Sequence, residues 1–73
     1  MLVGELWKLT KGSRVAVCTL SNHPIGAEIR CDVDGDLRQS QAGRDGLALL
    51  DLANEWKRQF QKKGWKANEN DQF

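Results

Sequence analysis

Cys18, His23 and Cys31 are the only soft metal ligands in this 73-residue chain. A structural zinc site takes four ligands, usually with paired Cys-x-x-Cys spacing, and that spacing is absent. In principle His23 could serve as the base for a Ser21 nucleophile. However, Ser21-Asn22-His23-Pro24 reads as a turn, and no acid is placed to orient the imidazole. Asp32, Asp34 and Asp36 flank a hairpin turn, where Asp is favoured for backbone reasons. They lack the terminal Glu of a calcium loop. Gly43-x-x-Gly46 is without the Lys and Ser/Thr that phosphate loops use, and there is no dinucleotide fingerprint. The expectation is a protein that is not an enzyme and holds neither metal nor cofactor.

Charge offers a second kind of chemistry. Formal net charge is only +1, but Lys57, Arg58, Lys62, Lys63 and Lys66 form a run of five bases with no acid among them. Bases at a helix end complement its negative dipole, and long lysine stems cover apolar surface. The functional alternative is phosphate contact, extended by Arg14, Arg30 and Arg38. Glu28, Asp32, Asp51 and Glu55 interrupt that basic surface, and the core claims Trp7, Trp56 and Phe60, leaving no exposed aromatics for base stacking.

The elements that position these residues follow from periodicity. Ile25, Ala27, Ile29, Cys31 and Val33 alternate with Gly26, Glu28, Arg30 and Asp32, so Ile25–Val33 is a strand with one buried and one wet face. Glu5–Thr10 and Arg14–Leu20 are strands before it. A two-residue turn at Lys11-Gly12 pairs Trp7 with Ala16 and Lys8 with Val15. A turn at Ser21–Pro24 pairs Leu20 with Ile25 and Cys18 with Ala27. That register separates Cys18 from Cys31 by four residues, roughly 13 Å at strand rise. A disulfide needs Cα atoms within about 7 Å, so both thiols are expected as small core residues.

Asp34-Gly35 turns the chain into a polar edge strand, Leu37–Ala42. A two-residue loop pairs Val33 with Asp36 and turns Leu37 outward, whereas a three-residue loop pairs Cys31 with Leu37 and buries it. The second is preferred, because Leu37 is the strand's one large apolar residue. Leu49, Ala53, Trp56 and Phe60 then recur at helical spacing between Asp45 and Lys63. Asp45 is the expected N-cap. Gly64 at C′ makes Phe60 and Trp65 the contacting pair of a Schellman ending.

The assembled expectation is an α+β domain: a four-stranded antiparallel β-meander with one C-terminal α-helix packed on one face (ββββα). It spans residues 1–66, with 67–73 a disordered tail. The expected core is Trp7, Leu9, Ala16, Cys18, Leu20, Ile25, Ala27, Ile29, Cys31, Val33, Leu49, Ala53, Trp56, Phe60 and Trp65. Leu6, Val15, Val17 and Thr19 fall on the outer sheet face beside Lys8, Glu28 and Arg30, with no second helix to cover them. A chain this small buries only about 60% of the surface its unfolded form exposes. The expected function is therefore a small interaction module whose outer face contacts a second copy or another protein. The alternative is nucleic-acid binding through the basic helix end and the arginines. No apolar run reaches the roughly 20 residues of a membrane span, and no secretory leader is legible, so a cytoplasmic protein without a membrane partner is expected.

Overall fold

The period-two alternation is realised as four long strands, followed by a helix and one short strand. The structure is a computed structural model and describes residues 4–67. Strands β1 (Gly4–Lys11), β2 (Arg14–His23), β3 (Gly26–Val33) and β4 (Asp36–Gly43) precede α1 (Gly46–Lys62) and β5 (Lys66–Ala67). The sheet order is β4-β3-β2-β1-β5, and every pairing is antiparallel. The fold is the expected α+β meander with a helix on one face. The fifth strand is an addition: Ala67, expected to open a tail, pairs with Leu9. The rest of that expected tail lies outside the described residues.

The helix begins and ends on local chemistry. The Asp45 carboxylate accepts from the amides of Leu47 at 3.0 Å and Ala48 at 3.2 Å, satisfying two of the free donors of the first turn. At the other end Gly64 has φ 98°, the Trp65 amide donates to Phe60 O and the Gly64 amide to Gln61 O. That is the expected Schellman ending, and the Phe60 and Trp65 rings meet edge-on with centroids 5.2 Å apart. Leu49, Ala53 and Trp56 are buried against the sheet.

The inner face holds nearly the whole expected core, but the registers differ from expectation. The first hairpin turns at Gly12-Ser13 rather than Lys11-Gly12, with φ 60° at Gly12, as a type II′ turn requires at its first central position. Trp7 therefore faces Cys18 rather than Ala16, and Lys8 faces Val17 rather than Val15. β2 runs on through Ser21, Asn22 and His23, so the second turn is Pro24-Ile25. Pro24, with φ preset and no amide hydrogen to lose, suits the first central position. Ile25, expected in the core, stands in the turn and is 48% exposed.

This longer hairpin makes Cys18 and Cys31 direct cross-strand partners instead of residues far apart. The third turn is the two-residue form: Asp34 and Gly35 have φ 53° and 85°, the type I′ combination that favours Asp-Gly. Val33 pairs with Asp36, and Leu37 points outward, 49% exposed. The expected burial of Leu37 fails because turn chemistry, not one apolar side chain, sets the register.

Candidate functional site

Two surfaces gather the residues singled out from sequence, one on each side of the sheet. The outer face is built from rows that cross the strands. Lys8, Val17, Asp32 and Leu37 form one row, and Glu5, Thr19, Arg30 and Ser40 form the next. Thr10 and Val15 lie before them, with Ser21, Glu28 and Ala42 beyond. The β2 column Val15-Val17-Thr19 is half-buried, and among the described residues no element packs over it. Lys8, Val15, Val17, Thr19, Glu28 and Arg30 thus share a face as expected. Leu6 does not: a β-bulge between Glu5 and Trp7 lets it pack against the core. The same bulge returns Glu5 to the outer face. Among the described residues the ion pairs are Arg14–Asp34 and Arg58–Glu55, so Lys8, Glu5, Arg30 and Asp32 have no charged partner there.

The second surface is a cavity of about 370 Å³ at the end of the sheet where α1 terminates. Arg14 reaches it from the start of β2, Arg38 and Gln39 from β4, and Gln59, Phe60 and Lys63 from the helix end, with Val33 and Trp65 completing the wall. A bulge between Cys31 and Asp32 on one strand and Leu37 and Gln39 on the other leaves Arg38 as the extra residue. The bulge brings Arg38 to the wall beside Gln39. Arg14 lies over the Trp65 ring at 5.7 Å and binds Asp34 through Nε at 3.0 Å. The other Asp34 oxygen accepts the Val15 amide, and this bond, with the adjacent Arg14, holds the carboxyl below its usual pKa. Lys11 Nζ donates to Lys63 O at 2.7 Å, offsetting the negative end of the helix.

The expected nucleic-acid set is thereby divided. Arg14, Arg38 and Lys63 meet at the cavity, but Arg30 lies on the opposite face. Lys57, Arg58, Lys62 and Lys66 do not line the cavity, and Arg58 is engaged by Glu55. Sequence reasoning missed Glu5 and Asp32 on the outer face, and Gln39, Gln59 and Trp65 in the cavity. The parity of Ile25–Val33 already places Asp32 on the wet face, where it counts only against nucleic-acid binding, but no sequence signal marks the bulge that turns Glu5 outward.

The sequence candidates for catalysis take structural places. His23 Nδ1 accepts the Ile25 amide at 3.2 Å across the Pro24 turn. Among the described residues no three His, Cys, Asp or Glu side chains are grouped to hold a metal ion, and no helix is long and apolar enough to cross a membrane. Cys18 and Cys31 are free, fully buried thiols. Asp34 N donates to Val15 O, which marks a hydrogen-bonding position on β2. Such positions alternate, so the Cys18–Cys31 pair three residues on is a non-hydrogen-bonded pair, the kind with Cα atoms about 4.5 Å apart.

Burial first, then the neighbouring Cys31 and Asp32, pushes the Cys18 thiol up from 9.0 to about 12. Burial and Asp32 push Cys31 up to about 11. The unfolded chain therefore loses these protons first. Stability contributed by the neutral thiols is intact below pH 9 and is lost as pH rises towards 12. Urea titrations across that range should show unfolding free energy falling by up to about 1.4 kcal/mol per pH unit for each thiol. A Cys18→Ala/Cys31→Ala variant should lose that part of the slope.

The fold and its two surfaces define a small α+β meander with one sheet face uncovered by the described residues and one basic cavity. No family model, curated protein or solved structure matches the chain.

Proposed function

We propose that this protein is a non-enzymatic interaction module that pairs with a second copy of itself through the uncovered sheet face. The observation carrying this reading is the charge pattern around the valine column. Lys8 and Arg30 sit at opposite corners of a square whose other corners are Glu5 and Asp32, with Val17 and Thr19 between them. A two-fold axis along β2 lays β1 of one copy over β3 of the other. Lys8 then faces Asp32 of the second copy, and Glu5 faces its Arg30, each contact occurring twice as isologous symmetry demands. Val15 and Val17 meet their own counterparts on the axis. Face-to-face sheets pack within about 30° of parallel, an angle that long Lys, Arg and Glu side chains span.

Such an interface suits a domain this small, because association adds buried apolar surface that one chain cannot supply. Nucleic-acid binding has weaker support, since the basic side chains divide between two faces and do not form one track.

Sedimentation equilibrium over a dilution series should give a dimer that dissociates as concentration falls. Val17→Lys places two like charges on the axis and should weaken association by about a hundredfold, leaving the helical circular dichroism unchanged. Lys8→Glu should weaken it, and Lys8→Glu with Asp32→Lys should restore it. A mass that stays monomeric at every concentration overturns the proposal, as does a Val17→Lys protein that associates like the parent.

A further inference from the structure

The basic cavity lies on the helix side of the sheet, independent of the outer face. Three cations, Arg14, Arg38 and Lys63, line it without an acid, and Gln39 and Gln59 add amide donors. Arg14 is partly neutralised by Asp34. Among the described residues the Arg38 and Lys63 side chains have neither an ion-pair nor a hydrogen-bond partner. At the helix end Phe60 O and Gln61 O accept the Schellman amides and Lys63 O accepts Lys11 Nζ, which weakens the negative field an anion would meet here. Val33, Phe60 and Trp65 supply an apolar wall. Two guanidiniums and an ammonium around one opening match a tetrahedral oxyanion better than a planar carboxylate, because phosphate takes several forked donors at once.

We propose that this cavity binds the phosphate group of a small phosphomonoester, with Arg38 and Lys63 as its principal donors and Arg14 as a secondary one. The volume, about 370 Å³, lies in the range of small-molecule pockets. A polymeric backbone would need a line of cations leading away from the cavity. Arg30 is behind the sheet, and Arg58 is engaged by Glu55.

The test is a titration of the full chain, followed by the Trp65 indole N–H in a proton–nitrogen correlation spectrum. Phenyl phosphate, inorganic pyrophosphate and a short oligothymidylate are the three probes. Phenyl phosphate should shift the Trp65 resonance saturably in the millimolar range, leaving the Trp7 indole, bonded to Ala53 O inside the core, unmoved. Arg38→Gln and Lys63→Gln should each raise the dissociation constant about tenfold without changing the thermal midpoint, since neither side chain holds the fold. Benzoate, with the same ring and a planar anion, should bind more weakly than phenyl phosphate. An absence of saturable shifts, equal binding by the variants, or benzoate binding as tightly as phenyl phosphate overturns the assignment. Oligothymidylate binding tighter than phenyl phosphate, with steep salt dependence, replaces it with single-stranded nucleic acid. None of these outcomes depends on whether the chain dimerises, because the cavity residues and the outer-face rows lie on opposite sides of the sheet.

Discussion

Trp7→Ala should remove most of the stability of this domain and loosen the helix from the sheet. Trp7 sits on the inner face opposite Cys18 and is 7% exposed. Its indole N–H donates at 2.9 Å to Ala53 O in the middle of α1, and its ring tilts against Phe60 with centroids 5.8 Å apart. Phe60 in turn stacks edge-on to Trp65. Among the described residues Trp7 is thus the one sheet side chain that both hydrogen-bonds the helix and supports the aromatic group closing its end. Truncating a buried tryptophan to alanine costs about 3–5 kcal/mol. A domain of this length has about 4–11 kcal/mol in total. Urea unfolding should show the midpoint falling by half or more, and near-ultraviolet circular dichroism should lose much of its fine structure. Trp7→Phe separates the two contributions. It keeps most of the packing and loses only the hydrogen bond, whose acceptor also serves the helix, so its cost should be about 1 kcal/mol. A Trp7→Phe protein as unstable as Trp7→Ala would show that the hydrogen bond, not packing, holds the helix.

What the sequence made legible follows from parity. The β1–β2 register differs from expectation by two residues and the β2–β3 register by four, since Trp7 faces Cys18 and Cys18 faces Cys31. Shifts by an even number leave every side chain on its own face. Leu9, Ala16, Cys18, Ile29 and Cys31 were therefore identified as core while their partners were not. The helix was legible because Asp45 and Gly64 act on their own amides and carbonyls within a few residues. Ile25 and Leu37 were misplaced where turn geometry competed with hydrophobicity: Pro24 and Asp34-Gly35 take the central turn positions whatever lies beside them. The candidate sites were the least legible part. The facing of Lys8 with Asp32 and Glu5 with Arg30 needs the true register and the bulge at Leu6. The cavity needs a second bulge that brings Arg38 beside Gln39. Bulges depend on strand pairing, which single-strand periodicity does not report.

Gly26→Ala tests the register on which both surfaces depend. Gly26 pairs with His23 to close the Pro24-Ile25 turn and has φ 145°, a conformation that residues with a Cβ rarely adopt. A Cβ there would stand 2.6 Å from Gly43 O and 2.9 Å from Arg44 Cα. Both are backbone atoms, with no flexible side chain to swing aside. Gly43 ends β4, and Arg44 leads directly to the Asp45 cap, so relief of the clash moves the edge strand or the start of the helix. Backbone strain of about 1–3 kcal/mol adds to overpacking of similar size, giving an expected loss of about 2–6 kcal/mol. Gly12→Ala is the control: φ is 60°, but nothing lies within 4 Å of its would-be Cβ. Its cost should be limited to the conformational preference, about 1–2 kcal/mol. If the two substitutions lowered the urea midpoint equally, the close approach of Gly26 to Gly43 would be wrong. The four-residue shift that brings Cys18 to Cys31 and Val17 to Asp32 would then lose its physical basis. If Gly26→Ala is the costlier by the expected margin, the rows of the outer face stand in the order that self-pairing requires.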